Sequence, residues 1–232
     1  MDTSRQQAET RRTFLAKSPL AGAALFAGEL GAPRRIAAQT RLSPNAALQE
    51  LLEGNKRYVN HRSTAHYEDL SALRQSTAEK QEPIASVLAC ADSRVPVEII
   101  FDQSIGRIFV TRIAGNIVTP EIIASLEYGA AVLGTKAIVV MGHANCGAVE
   151  AAIEGKPVPG QISNLYLRLR PAVDQAGTDT DAAIKANARI QFNMLREAST
   201  VVSGLVSERK LRVVAAYYDL AHGQVTLLES AG

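Results

Sequence analysis

Short apolar runs separated by helical patterns recur along most of the chain. Four of them are brief and largely apolar, as buried strands of a parallel sheet are. These runs are residues 84–89, 107–112, 137–141 and 211–217. Residues 121–133 and 180–202 have helical periodicity, and residues 224–228 form a last short strand after a turn. Strands that alternate with helices predict an α/β fold, a mainly parallel central β-sheet covered by helices on both faces.

A helix is predicted ahead of the first strand. Ser43 is suited to cap its N-terminus, and Pro44 fits the first helical position. The helix ends near His61, and the polar residues 62–80 connect it to the sheet. The apolar stripe of this N-terminal helical arm consists of Ala46, Leu48, Leu51, Leu52, Tyr58 and Val59.

Length and charge narrow the class of protein. The chain has 232 residues, 47% of them hydrophobic, which is enough for one sizeable core. Residues 1–38 hold six Lys or Arg and three Asp or Glu, a net charge of +3, so the total of +2 leaves −1 for the remainder. A remainder so close to neutral gives no basic patch for binding nucleic acid, so nucleic acid is not expected as a partner.

The N-terminal segment has the features of an export signal. Arg11 and Arg12 are followed one residue later by Phe14-Leu15, which resembles the twin-arginine motif. The apolar stretch 19–28 is shorter than the ~20 residues of a spanning helix, and residues 36–38 offer a small-residue cleavage site. We predict a signal peptide over residues 1–38 and a single domain over residues 39–232, periplasmic or secreted and not attached to a membrane. The alternative is a basic helical N-terminus that frays.

The chemistry is concentrated just after two of the predicted strands. The chain has two cysteines, Cys90 after one strand and Cys146 after another, with His143 three residues before Cys146. Two thiolates and one imidazole give the three ligands of a catalytic zinc site, whose fourth position is left for water. Sulfur and nitrogen donors favour zinc over magnesium, and iron remains an alternative.

A disulfide is the competing interpretation of the two cysteines. In exported proteins a cysteine pair is more often a disulfide than a metal site. A disulfide gives no role to His143, or to Asp92 and Arg94 just beyond Cys90. Alone, His143 would more often be a hydrogen-bonded core residue, but the neighbouring cysteine favours a metal ligand.

The two motifs together resemble the paired signature of the β-carbonic anhydrases. Cys-Ala-Asp-Ser-Arg-Val begins at Cys90, and His-x-x-Cys-Gly begins at His143. Residues 100–102, 112–116 and 218–219 have counterparts in that family, so the resemblance covers roughly residues 48–228. It implies a carbonate dehydratase with one Zn²⁺ per subunit, in which a zinc-bound hydroxide reversibly hydrates carbon dioxide to bicarbonate and a proton.

The resemblance also assigns roles around the metal. It makes Cys90, His143 and Cys146 the zinc ligands and Asp92 with Arg94 the catalytic pair. In this family Asp92 either orients the attacking oxygen or, in a closed state, becomes a fourth ligand of the metal.

The plant-like, type I branch of the family supplies the expected substrate site. Its pattern places Gln81, Phe109, Tyr128 and Gly147 around carbon dioxide, although from pattern alone the first three would be ordinary surface or core residues. The chain has no tryptophan, a residue that a bicarbonate-inhibited branch uses in a regulatory site. The resemblance further implies a homodimer or higher homo-oligomer. In it the leading helix reaches across a partner, and Gln81, Phe109 and Tyr128 are shared over the interface.

Two other functions fit the same motifs. A carbonyl sulfide or carbon disulfide hydrolase would use the same zinc site behind a different access route. A non-catalytic zinc or thiol module would need neither Asp92 nor Arg94.

Overall fold

A five-stranded sheet is the centre of the fold. The computed structural model describes residues 40–65 and 68–232, so the predicted signal peptide over residues 1–38 lies outside the described residues. The strands are β1 (Ala85–Ala89), β2 (Ile108–Arg112), β3 (Ala137–His143), β4 (Arg212–Tyr218) and β5 (Val225–Ala231). Their order in the sheet is β2-β1-β3-β4-β5, in which β5 alone is antiparallel to its neighbour. The mainly parallel sheet predicted from the sequence is therefore confirmed.

Helices cover both faces of the sheet, as the alternating pattern predicts. Alternate strand residues point to opposite faces, so Val87 and Val139 pack in one apolar cluster and Leu88 and Val140 in another. The helices are α1 (Pro44–Val59), α2 (Leu70–Thr77), α3 (Val97–Ile100), α4 (Pro120–Glu127), α5 (Gly147–Glu154), α6 (Ser163–Ala176), α7 (Thr180–Ala198) and α8 (Thr200–Ser207). The first cluster includes residues of α1 and α3, and the second includes residues of α4, α7 and α8.

The leading helix begins where the sequence predicts and is held by its own chain. The Ser43 hydroxyl accepts a hydrogen bond from the backbone N–H of Ala46 at 3.2 Å, which caps α1. Leu48 and Leu51 are buried in the same cluster as the core of the sheet. The apolar face of α1 therefore packs against the core of its own chain.

Two predicted helices end differently from the sequence expectation. The helical pattern over residues 180–202 is divided at Ser199, whose backbone is extended and whose hydroxyl accepts from Val202 N–H at 3.0 Å, so α8 begins afresh. After α4 the chain continues as a π turn over Tyr128–Val132.

None of the helices in residues 40–65 and 68–232 combines the length and apolarity that a membrane span needs.

Candidate metal centre

Three predicted ligands meet at one edge of the sheet. β1 and β3 are neighbouring parallel strands, so Cys90, which follows β1, and His143, which ends β3, lie at the same edge. Cys146 follows on the turn that leads into α5. One ligand atom from each side chain lies within 4.8 Å of the other two, and all three residues are buried. This spacing is that of a site for a single ion.

The imidazole of His143 is oriented for coordination. Its Nδ1 is 2.9 Å from the backbone carbonyl of Ala144, which can only accept, so Nδ1 carries the proton. Its Nε2 is buried and has no hydrogen-bond partner. A buried nitrogen with a free lone pair beside two sulfurs fits a soft divalent metal such as zinc.

The cysteines are not joined to each other. Both are free, and their Sγ atoms are 4.0 Å apart, about twice the length of a disulfide bond. The disulfide interpretation is therefore wrong for this structure, and the sulfurs remain available as ligands.

The electrostatics of the two thiols favour a bound cation. The Cys146 thiol lowers the pKa of Cys90 to about 4, against the opposing effect of burial and with further help from His143. The same pairing with Cys90, together with burial, raises the pKa of Cys146. Two adjacent buried thiolates repel each other, so a cation between them is what allows both to ionise.

Asp92 is held beside the ligands by Arg94. The guanidinium donates to both carboxylate oxygens, from Nε at 3.0 Å and from Nη2 at 2.7 Å, and the Arg94 backbone N–H donates at 2.8 Å. These bonds, Arg94 first among them, hold the pKa of Asp92 far below its usual range despite partial burial. Asp92 Oδ2 lies 3.8 Å from His143 Nε2. The carboxylate is therefore ionised, and Arg94 holds it so that it is directed at the metal centre.

Backbone contacts from β2 and the turn after it fix the Cys90 loop. Arg112 Nε donates to the Cys90 carbonyl at 2.9 Å, and its Nη2 donates to the Asp92 carbonyl. The backbone N–H of Gly115 donates to Cys90 Sγ at 3.3 Å. Residues 112–116 belong to the family resemblance, but their pattern alone indicates no role for them. Only the folded structure shows that they support a ligand.

The remaining predicted site residues fall into two groups. Gly147 is the first residue of α5 and follows Cys146 directly. Phe109 is paired in register with Ser86, four residues before Cys90 and hence roughly 13 Å from it along the strand. Tyr128 lies beside Phe109, with the ring centroids 6.2 Å apart, and Gln81 precedes β1 on the surface. Within one chain these three residues therefore do not line the metal centre.

Known proteins with similar sequences and folds match most of the described chain. The family profile described as carbonic anhydrase matches residues 85–225. Carbonic anhydrase 2 of Mycobacterium tuberculosis is 34% identical over 198 residues, which is 82% of this chain and 95% of that protein. Carbonic anhydrase of Mycolicibacterium smegmatis is 34% identical over 200 residues, 82% of this chain and 96% of its own. The structure of a Coccomyxa β-carbonic anhydrase in complex with acetazolamide has a TM-score of 0.63 and 28% identity, covering 79% of this chain and 87% of that one.

Proposed function

Because this chain belongs to the β-carbonic anhydrase family, we propose that Cys90, His143 and Cys146 hold its zinc and that Asp92 and Arg94 are its catalytic pair. The protein is a zinc-dependent carbonic anhydrase that interconverts carbon dioxide and bicarbonate. The observation that carries the residue assignment is the convergence of three buried donor atoms within 4.8 Å of one another. We assign one zinc to each subunit.

The protein's own groups prepare the reaction. Zinc bound at such a site supplies an activated water as the nucleophile at neutral pH. The Asp92 carboxylate, which is ionised beside the ligands, would accept a hydrogen bond from the attacking water and so orient it towards the substrate. Arg94 keeps the carboxylate in place through a bidentate pair, and donates to the Asn145 carbonyl at 3.0 Å, which ties the pair to the His143–Cys146 loop.

The ligand assignment is tested by measuring zinc content together with stopped-flow carbon dioxide hydration. Wild type is expected to hold one zinc per chain and to turn over, whereas Cys146→Ala loses most of both. Ser86→Ala is the control, because Ser86 is buried on β1 and its hydroxyl bonds to Thr135, at 3.0 Å, rather than to any predicted ligand. Full zinc and full rate in Cys146→Ala would refute the assignment.

We further propose that the active enzyme is a homo-oligomer whose substrate site is shared. Tyr128 is 44% exposed and stands with Phe109 and the exposed Val132 near β2, an edge strand of the sheet. These apolar groups lie too far from Cys90 to serve the metal centre of their own chain. Placed against a second copy they supply the apolar wall that a small neutral gas needs, with Gln81 as the hydrogen-bonding residue. These residues support a place in the plant-like branch.

Complementation between inactive variants tests the shared site. We expect mixing Cys146→Ala with Tyr128→Ser to restore activity, because a hybrid dimer then has one site with intact ligands and an intact tyrosine. With random exchange the mixture reaches about a quarter of the wild-type rate. Cys146→Ala mixed with Asp92→Asn is the control and stays inactive, since one chain then lacks a metal ligand and the other lacks the carboxylate that acts beside its own metal. Hybrids shown to form but without recovered activity would contradict sharing.

We propose export through the twin-arginine route, with a periplasmic or secreted mature protein. The support is the Arg11–Arg12 pair, the apolar stretch behind it and the small-residue site at 36–38. Cell fractionation of the full chain is expected to find a shortened protein outside the cytoplasm. The double variant Arg11→Lys, Arg12→Lys is expected to stay in the cytoplasm at full length. Export of that variant at the wild-type level would argue against the route.

A further inference from the structure

Helix α7 has a pair of buried amide side chains with no role so far. Asn187 is 1% exposed and Gln191 is 0% exposed, and Gln191 Nε2 donates to Asn187 Oδ1 at 3.0 Å. Polar groups at such depth destabilise the fold unless their hydrogen bonds are made. Their partners therefore indicate what the pair does.

Both amides bind the turn that follows β2. Asn187 Nδ2 donates to the Gly115 carbonyl at 2.8 Å. Gln191 Oε1 accepts from the backbone N–H of Val118 at 2.7 Å. Between these two points the backbone is left-handed at Gly115 and Asn116, with φ values of 72° and 43°. Asparagine adopts a positive φ more readily than most residues, and the two amide hydrogen bonds hold the turn in this conformation.

The turn held in this way reaches the metal centre. The N–H of Gly115 donates to Cys90 Sγ at 3.3 Å, so one chain of contacts runs from α7 through the turn to a ligand sulfur. Hydrogen bonds to a coordinating group orient it and adjust its charge, and their loss typically lowers metal affinity 10–100-fold.

We infer that Asn187 and Gln191 are positioning residues of the metal centre, which hold the Gly115 N–H on the Cys90 sulfur. The inference rests on the proposed function, because it takes Cys90 as a zinc ligand. The two residues touch neither the ion nor the substrate. They act through the backbone of the turn.

The test measures metal binding rather than turnover. Asn187→Ala is expected to weaken zinc binding by about tenfold in competition with a chelator. In the cobalt-loaded protein it is expected to shift the thiolate-to-cobalt absorption band. Gln191→Met, which keeps the volume of the side chain, is the second variant, and a smaller change in the same direction is expected of it.

Ser199→Ala is the matched control. Ser199 is also buried, lies at the end of α7, donates to Glu127 at 2.6 Å and caps α8, so its loss weakens the fold away from the metal centre. It is expected to lower the melting temperature without changing zinc affinity or the cobalt band.

The outcomes separate this inference from the proposed function. If Asn187→Ala or Gln191→Met folds and keeps wild-type zinc affinity and the wild-type band, the positioning role is refuted while the zinc site stands. A change in Ser199→Ala as large as in the α7 variants would also refute it, since general loosening would then explain both. If wild type itself binds no zinc, the proposed function fails first.

Discussion

At the scale of single residues, each reactive group at the metal centre has a neighbour that fixes it. The Ala144 carbonyl holds the His143 ring, the Gly115 N–H meets Cys90, and Arg94 grips Asp92 on both oxygens. Because the neighbours are largely backbone groups or one bidentate cation, few side-chain motions remain to be frozen when the metal and substrate bind. The site is preorganised, and the energy of reaching the transition state is correspondingly smaller.

The Asp92→Asn variant isolates the charge of that carboxylate. It keeps the size of the side chain but loses the negative charge and one of the two acceptor oxygens that Arg94 uses. We expect zinc content to stay at the wild-type level while the hydration rate falls by about 100-fold or more. Retained turnover at full zinc content would remove Asp92 from the mechanism.

A buried carboxylate, Asp102, ties the end of α1 and the residues after it to the turn that follows α3. It accepts from Arg57 Nε at 2.6 Å and from the backbone N–H groups of Thr64 and Ala65 at 2.8 and 2.9 Å. Burial raises the pKa of Asp102, but the bond from Arg57 and those from the two amides together outweigh it and leave the pKa below its usual value. The charged form is therefore the one that the fold stabilises.

This shift predicts a loss of stability in acid. A carboxyl whose pKa is lowered on folding stabilises the fold above its unfolded pKa of about 4, and loses that contribution as the pH falls towards the folded value. Asp102→Asn is expected to reduce the free energy of unfolding by about 2 kcal/mol at pH 7 and by much less near pH 3, as measured by urea denaturation. Asparagine tolerates the positive φ at this position, so the variant tests charge rather than backbone strain.

A surface carboxylate provides the comparison for Asp102. Asp174 pairs with Arg170 on α6 in an exposed salt bridge, and such pairs contribute little to stability. Asp174→Asn is expected to leave unfolding unchanged at both pH values. An equal loss of unfolding free energy in Asp102→Asn and Asp174→Asn at pH 7 would show that the Asp102 network stabilises the fold no more than a surface ion pair does.

At the scale of elements, the docking of α1 depends on one close backbone approach. Gly54 faces the Phe101 carbonyl so closely that a Cβ added there would lie 1.8 Å from that oxygen. Beside it, the buried Asn55 donates to the carbonyls of Ile100 and Gly223 and accepts from Val225 N–H. Glycine followed by asparagine is therefore required on this face of the helix for α1 to reach both α3 and the loop before β5.

Two glycine-to-alanine substitutions in helices are expected to have opposite effects. Gly54→Ala should lower the free energy of unfolding by about 2 kcal/mol, since the clash outweighs the gain in helix propensity. Gly204→Ala in α8 should raise it by about 0.5–1 kcal/mol, because no atom of the described residues lies within 4 Å of the added carbon. Urea unfolding of both proteins measures the difference, and a stabilised Gly54→Ala would mean that α1 does not approach α3 as described.

The elements also show how far sequence reasoning reaches. The strands were predicted because a buried parallel strand is a continuous apolar run, and the metal ligands because each motif lies directly after such a run. The division at Ser199 was missed because apolar residues continue beyond it in Val201 and Val202, so periodicity alone does not register a change of backbone direction. The roles of Asn187 and Gln191 could not be predicted, since Asn187 meets Gly115 across 72 residues and nothing local distinguishes a buried amide from a solvated one.

At the scale of the whole molecule, the core and the metal centre are largely separate. The two largest apolar clusters, on either side of the sheet, contain none of the three metal ligands, and Cys90 and Cys146 belong to a third that joins α5, α6 and α7. The sheet therefore has its own source of stability, and the metal adds to it.

Removing the metal is expected to weaken the protein without unfolding it. After treatment with a chelator the far-ultraviolet circular dichroism should stay close to that of the loaded protein. Zinc at a hundred times its dissociation constant should then raise the free energy of unfolding by about 2.7 kcal/mol. Added zinc should not stabilise Cys146→Ala comparably. A chelated wild type that loses its secondary structure would contradict the separation of the core from the metal centre.

The position of the two sulfurs in the chain has a consequence for when an ion is acquired. Cys90 and Cys146 are 56 residues apart in sequence, and β2 and α4 lie between them. A metal ion held by both sulfurs would close a long loop, and the pairing of β1 and β3 brings the ends of that loop together and so removes most of the entropic cost of closing it. We therefore expect metallation to follow the pairing of these strands, and a polypeptide threaded through a pore as an open strand to emerge without its ion.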